Sequence, residues 1–268
     1  MPATAGTRAG VKLLMVQPAN GDRNLPLIDG AYVLFDSELG RPIALLDGSA
    51  LTRLRTPAAS AVATDALARR EAASLGIIGA GPQGLAHLEA MLCVRPAIAS
   101  VIVSSRSASS AQTLVTRISD DDSLTGLSPR VRSNTRFGSY EDAAACDIVC
   151  IATRSTTALV DLPMVRPGAH LNAVGAYRPD MAELAADLLS KATVTVDEIG
   201  AAREEAGDLI RAAATGAWSW AQIAGDLVAL ANGTLKRSNV DEVTVFKSVG
   251  LALEDLVVAD LVAAASGV

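Results

Sequence analysis

Apolar and polar positions change rhythm twice along this chain. Up to residue 47, short apolar runs alternate with turn residues. Residues 11–17 (VKLLMVQ), 31–36 (AYVLFD) and 43–47 (IALLD) each have the length and β-branched or aromatic content of a strand. Residues 1–10 read as a loose entry, 18–22 as a turn and 26–30 as an irregular path. The turn 38–42 joins the last two strands into a hairpin. Asp47 to Ser49 can cap a helix starting near Ala50, with Leu51, Leu54, Ala58, Ala61, Val62 and Leu67 on its apolar face. Pro57 inside that pattern predicts a kink or two short helices. From residue 75 strands and helices alternate: strands at 75–78, 99–104, 147–152, 170–174 and 193–197, helices at 85–93, 108–118, 140–145 (capped by Ser139) and 183–189. A polar loop at 119–129 and a short strand at 131–134 lie between them. Such alternation predicts an α/β fold, a doubly wound parallel sheet with helices on both faces. The last stretch reads as helices at 198–215 and 222–230, a break at 233–237, a strand at 243–246 and a long helix at 249–265.

Composition narrows the class. The chain has 268 residues, half of them hydrophobic (50%) and 19% charged, so it can bury a large core. Its net charge of -6, with no basic cluster, argues against nucleic acid as a partner. No apolar run is long enough to span a bilayer and no apolar signal segment opens the chain, which points to a soluble cytoplasmic protein with no membrane partner. The three cysteines, Cys93, Cys146 and Cys150, sit in apolar surroundings and read as reduced, buried thiols. With only two histidines, remote from them, no metal site is expected. His87 and His170 read as structural.

The stretch Gly79-x-Gly81-x-x-Gly84 lies between an apolar run and a helical pattern. In that setting the first glycine permits the turn, the second lets backbone approach a pyrophosphate, and the third lets helix pack on strand. The helix N-terminus then offers its N–H groups to phosphate. An NAD-selective site carries an acid at the end of the next strand, roughly 20 residues on. Here that place reads Ser104-Ser105-Arg106-Ser107. A cation and hydroxyls suit the 2′-phosphate of NADPH, with NADH as the alternative cofactor. Lys12, inside an apolar strand, must pair, snorkel or act. Arg55 has the fork suited to a carboxylate, and by position alone it reads equally as a surface arginine on its helix. Thr153 and residues 175–177 follow strands whose carboxyl ends form the ligand crevice of this architecture.

Several longer stretches carry a family resemblance: GVK at 10–12, ALLDGSALTRLRTPAAS at 44–60, GAGPQGLAHLEA at 79–90, IATRS at 151–155, NAVGAYRPDMAEL at 172–184 and VFKSVGLALEDL at 245–256. They span nearly the whole chain and resemble the ornithine cyclodeaminase/mu-crystallin family. The resemblance implies a Rossmann domain at 57–239 and a smaller α/β domain from 1–56 and 240–268 that binds substrate and forms a homodimer. It implies Lys12 and Arg55 as catalytic residues at the substrate carboxylate. Thr56, Gly79, Gly81, Pro82, Gln83 and Gly84 fall at the cofactor phosphates. Ser105, Arg106 and Ser107 fall at the adenosine ribose, and Thr153, Val174, Gly175 and Ser248 at the nicotinamide side.

Two departures shape the functional expectation. Family members that cyclise ornithine carry an acid–base aspartate where this chain has Tyr177. The variant GAYRPDMAEL is more similar to the ketimine reductases, including Δ1-pyrroline-2-carboxylate reductases. Asp180 is near, in a different register, and reads as a surface turn. Met1-Pro2-Ala3 resembles an internal family motif, so the small domain is expected to lack the family's leading segment, which would impair dimer formation and catalysis. The resemblance thus implies NADPH-dependent reduction of a cyclic imino acid, to L-proline or L-pipecolate. The alternatives are an NAD-dependent ornithine cyclodeaminase or amino-acid dehydrogenase, and a non-catalytic cofactor-binding protein of the mu-crystallin kind.

Overall fold

The two rhythms become two sheets. In a computed structural model, which describes residues 1–17, 20, 28–122, 124 and 127–267, the chain forms two compact units. One is Met1–Thr56 with Gly250–Val268, and the other is Pro57–Val249.

The small unit is built on a four-stranded sheet in sequence order, β1 (Pro2–Ala5), β2 (Arg8–Val16), β3 (Ile28–Asp36) and β4 (Arg41–Asp47), with every neighbouring pair antiparallel. The expected loose entry is therefore two strands. Pro2 to Ala5 has almost no apolar signal of its own and becomes a strand by pairing with β2 across a turn at Gly6, which sits at φ +54°. The third strand starts at Ile28 rather than 31, because Gly30 pairs with Leu14 and passes so close to Leu13 that any side chain there would collide with its carbonyl. The turn expected at 18–22 lies, apart from Asn20, outside the described residues. Helix α1 (Gly48–Leu67) begins in this unit, and α10 (Ala252–Ala265) returns to it. Tyr32, Leu34, Leu51, Leu256, Ala259 and Ala263 close its core. The Asp47 carboxylate accepts the Ser49 and Ala50 amides at 2.7 and 2.8 Å and so caps α1. Pro57 does not split α1, which is one helix of 20 residues. The carbonyl that loses its amide partner is that of Arg53, an exposed residue where solvent can replace it.

The large unit carries eight parallel strands. They are β5 (Ser74–Ile78), β6 (Ser100–Ser104), β7 (Thr135–Phe137), β8 (Ile148–Ile151), β9 (His170–Ala173), β10 (Thr193–Val196), β11 (Ile223–Asp226) and β12 (Thr244–Lys247). Their order is β11-β10-β12-β9-β8-β5-β6-β7. The winding reverses between β5 and β8, which makes their carboxyl ends the topological switch point. Along β5, Leu75 and Ile77 join one buried cluster and Ile78 another, as the two-residue strand period requires of a sheet covered on both faces.

Five local expectations are corrected. Residues 131–133 are helix, not strand, and Asn134 is its C-cap: Ser128 caps and Pro129 opens α4 (Pro129–Ser133), and β7 follows. Parts of the polar loop before it (123, 125 and 126) lie outside the described residues. The helix expected at 183–189 is α6 (Ala186–Lys191), and Glu183 precedes it, fully buried. The helix expected at 222–230 is divided, because residues 223–226 pair with β10 and Asp226 caps α9 (Leu227–Ala231). Residues 244–247 form β12 between β10 and β9, so this strand belongs to the large sheet rather than to the small domain. The segment 198–215 is two helices, α7 (Ile199–Glu205) and α8 (Gly207–Ala214). Cys93 is exposed, unlike Cys146 and Cys150. Among the described residues no helix is long and apolar enough to cross a membrane.

Buried polar groups tie the elements of the large unit together. Arg95, 3% exposed, donates to the carbonyls of Thr64, Asp65 and Ala68 at 2.9–3.0 Å, satisfying the end of α1. Both histidines are structural. His87 meets Ser60 Oγ at 3.1 Å and the Gln83 carbonyl at 2.8 Å. His170 meets Thr244 Oγ1 at 2.9 Å and Asn172 Oδ1 at 3.2 Å.

Candidate active site

At the switch point the three glycines of the turn differ in what surrounds them. A side chain at Gly79, whose φ is +117°, would collide with the Ala152 carbonyl, and one at Gly84 with the Gly79 carbonyl. Gly81 faces open space, with nothing within 4 Å of a Cβ placed there. Two glycines thus serve close packing and the third leaves backbone accessible to a ligand. Pro82 opens helix α2 (Pro82–Val94), and no side chain caps it. Its first turn, with Gln83 partly exposed, keeps the helix-dipole end suited to phosphate. These residues fit a dinucleotide. At the end of β6, Ser105 is half-buried and Arg106 exposed, and among the described residues no carboxylate pairs with Arg106. Ser107 has a second task, since its Oγ caps α3 (Ala108–Asp120) by accepting the Ser110 amide at 3.3 Å.

The remaining strand ends are held by two buried carboxylates. Glu183 accepts the Thr153 amide and hydroxyl at 2.7 and 2.8 Å on Oε1. On Oε2 it accepts the Gly175 and Ala176 amides at 2.7 and 3.2 Å. Behind it Asp208 accepts the amides of Glu183 and Leu184 and pairs with Lys247 at 3.1 Å. Lys247 also donates to the Ala173 carbonyl at 3.3 Å. Burial, opposed by the Lys247 ammonium, pushes the Glu183 carboxyl up to about 7. Asp197 does the same work at the end of β12, accepting Ser248 Oγ at 3.1 Å and the Val249 amide at 2.7 Å. Thr153 and Val174 are partly exposed, whereas Gly175 and Ser248 are buried.

In the small unit Lys12 and Arg55 share a counterion. Lys12 Nζ lies 2.6 and 2.8 Å from the two oxygens of Asp255, and Arg55 Nε lies 3.4 Å from Oδ1. Arg55 Nη1 also meets Glu254 Oε2 at 3.1 Å. Lys12, Arg55 and Asp255 are 3%, 8% and 0% exposed. Burial first, and then the charge of Arg55, lowers the Lys12 ammonium below the ordinary lysine range. The Arg55 guanidinium packs against Gly250, where any side chain would collide with it and φ is +90°. Thr56 is buried, one residue further along α1.

Glu183, Asp197 and Asp255 were absent from the sequence-derived set. The signal for Asp255 was present as an acidic pair, Glu254-Asp255, opening an otherwise apolar helix. Tyr177 is partly exposed, and Asp180 forms an exposed fork with Arg178 at 2.6 and 2.9 Å, so it is a surface turn.

A parallel sheet with this order and a glycine turn at its switch point defines a dinucleotide-binding α/β protein. Residues 1–266 match the model of the ornithine cyclodeaminase/mu-crystallin family. The chain belongs to that family. It is 37% identical over 271 residues to a Δ1-pyrroline-2-carboxylate reductase of Bacillus cereus, covering 97% of this chain and 78% of the relative. Among solved structures it is similar to the Thermococcus litoralis Δ1-pyrroline-2-carboxylate reductase in complex with NADH and L-proline. There the TM-score is 0.87 at 32% identity, over 96% of this chain and 77% of that one. It is also similar to an archaeal alanine dehydrogenase dimer with bound NAD, with TM-score 0.90 at 30% identity, over 100% and 81% of the two chains.

Proposed function

We propose that the protein is an NAD(P)H-dependent reductase of cyclic ketimine carboxylates, Δ1-pyrroline-2-carboxylate or Δ1-piperideine-2-carboxylate, forming L-proline or L-pipecolate. The observation that carries this reading is the buried pair of cations Lys12 and Arg55 on one shared aspartate, in a chain whose relatives include reductases of this kind. Arg55, held by Glu254 and Asp255, presents its planar guanidinium to the substrate carboxylate. Lys12 holds a proton at Nζ that can serve the imine nitrogen, helped by its lowered pKa. Gly79, Gly81, Pro82, Gln83 and Gly84 hold the cofactor phosphates. Ser105, Arg106 and Ser107 take the ribose, with Arg106 favouring NADPH over NADH. Thr153, Val174, Gly175 and Ser248 take the nicotinamide side. When bound, the reduced nicotinamide supplies the hydride.

The test is oxidation of NADPH and NADH by purified protein with each imine between pH 5 and 9. Turnover with one of them is expected. Protein that binds NADPH and turns over neither would refute the reading. Arg55→Lys, which keeps the charge and loses the fork, should lower imine kcat/KM by about 10–100-fold and leave NADPH affinity unchanged. The similarity to an alanine dehydrogenase favours one second reading, an NAD-dependent amino-acid dehydrogenase. Ammonia release from L-alanine or L-ornithine with NAD would favour it.

A homodimer through the small sheet is part of the proposal. Leu13, Met15 and Leu45 lie on one face of that sheet by register and are 62%, 74% and 75% exposed. Exposed apolar surface of this kind marks an interface. Leu13→Glu with Leu45→Glu should halve the mass seen by sedimentation, and an unchanged mass would place the interface elsewhere.

A further inference from the structure

We propose that Glu183 is a positioning residue for the cofactor: it fixes the loops after β8 and β9 in the shape that receives the nicotinamide half. The inference rests on the cofactor reading given above. Both loops leave the carboxyl ends of strands, and β8 flanks the switch point, where ligands of doubly wound sheets bind. Thr153 and Val174 are partly exposed there, but the group that shapes them is fully buried. Glu183 accepts two hydrogen bonds from the first loop and two from the second, which uses the whole accepting capacity of a carboxylate. A side chain at Gly175 would collide with Glu183 Oε1 and with the Thr153 carbonyl, so the two loops meet across the carboxylate.

The support behind Glu183 is equally specific. Asp208 of α8 accepts the Glu183 amide, and Lys247 of β12 pairs with Asp208 and reaches the end of β9. Glu183 thus feels one charge of each sign, the Lys247 ammonium and the Asp208 carboxylate. A core that needed only to be filled would be served by an apolar side chain here. The four donors pointing at one carboxylate instead fix the backbone of both loops to the same atom group. Glutamine in place of Glu183 brings one acceptor oxygen and one amide donor. Whichever way it turns, its NH2 faces at least one backbone N–H, that of Thr153 or those of Gly175 and Ala176, and that loop must shift.

The experiment compares two probes on wild type and Glu183→Gln. NADPH binding is followed by its fluorescence. Binding of 2′,5′-ADP, which carries the adenosine half and no nicotinamide, is followed by calorimetry. The expected result is a loss of NADPH affinity of about tenfold or more with 2′,5′-ADP affinity within twofold of wild type. Equal affinity of wild type and variant for NADPH would overturn the inference. So would parallel losses for both probes, which describe a merely structural role. If the glutamine variant does not fold, Glu183→Asp keeps the charge but shortens the reach, and the same selective loss is expected. Wild type that fails to bind NADPH would overturn the cofactor reading as well, whereas normal wild-type binding with an unaffected variant overturns this inference alone.

Discussion

Replacing Asp255 by Ala is expected to destabilise the small unit by about 3–5 kcal/mol, the usual consequence of stranding buried charge. Asp255 is fully buried and is the common partner of Lys12 at 2.6 Å and Arg55 at 3.4 Å. Without it, two cations remain close together in a low-dielectric environment, with Glu254 as the nearest carboxylate to Arg55. Urea unfolding at neutral pH measures the loss directly. A second arm identifies the cause. Lys12 already has a lowered pKa, through burial and then the charge of Arg55. A lysine whose folded pKa is lowered binds fewer protons folded than unfolded, so its destabilising effect shrinks as pH rises toward the unfolded value. The deficit of the Asp255→Ala variant should therefore narrow between pH 8 and 10. Lys12→Met in the same background should recover part of it. A variant that unfolds at the wild-type urea concentration would show that the shared counterion does not hold this unit together.

Acid should weaken the large unit, by about 3 kcal/mol net between pH 7 and 4. Burial lowers His87 to about 4. Burial, followed by the charge of Arg237, lowers His170 to about 3. Both rings are neutral when folded and charged when unfolded below the ordinary histidine value. Their contribution is complete above that value and is lost as pH falls toward the folded pKa values, about 3 kcal/mol each by pH 4. Glu183 acts in the opposite direction. Its folded pKa is raised to about 7, so protonating it on the way down favours the folded state and offsets about 3 kcal/mol. Asp147, lowered by its hydrogen bonds to Ala73 and Ser74 in spite of burial, adds to the histidine side. Unfolding midpoints at pH 7, 5.5 and 4 measure the net loss. A large unit as stable at pH 4 as at pH 7 would refute the assignment of neutral buried rings.

The parts of this fold that were legible in the sequence are those whose signal is local. Leu75 to Ile78 runs straight into the glycine turn, Ser139 announces its helix, and the βαβ alternation gives the winding of the sheet. The parts that were not legible depend on partners distant in sequence. Pro2 to Ala5 is a strand because β2 lies beside it. Residues 223–226 are a strand because β10 does, although their helical neighbours suggested otherwise. Lys12 stood out as a charge in an apolar run, but its partner lies 243 residues away. Glu183 read as the start of a helix. Its four donors belong to two loops separated from each other by a strand, and no periodicity records such a meeting.

The discontinuity of the small unit has a consequence for synthesis. The large unit is one unbroken stretch, Pro57–Val249, and can fold as soon as it leaves the ribosome. The small unit cannot, because α10, which closes its core and carries Glu254 and Asp255, is made only after the large unit. Until α10 emerges, Lys12 and Arg55 are present without the acids that neutralise them. Native pairing between the two segments of the small unit is therefore later than folding of the large one, and the nascent small sheet is the stage most open to misassembly.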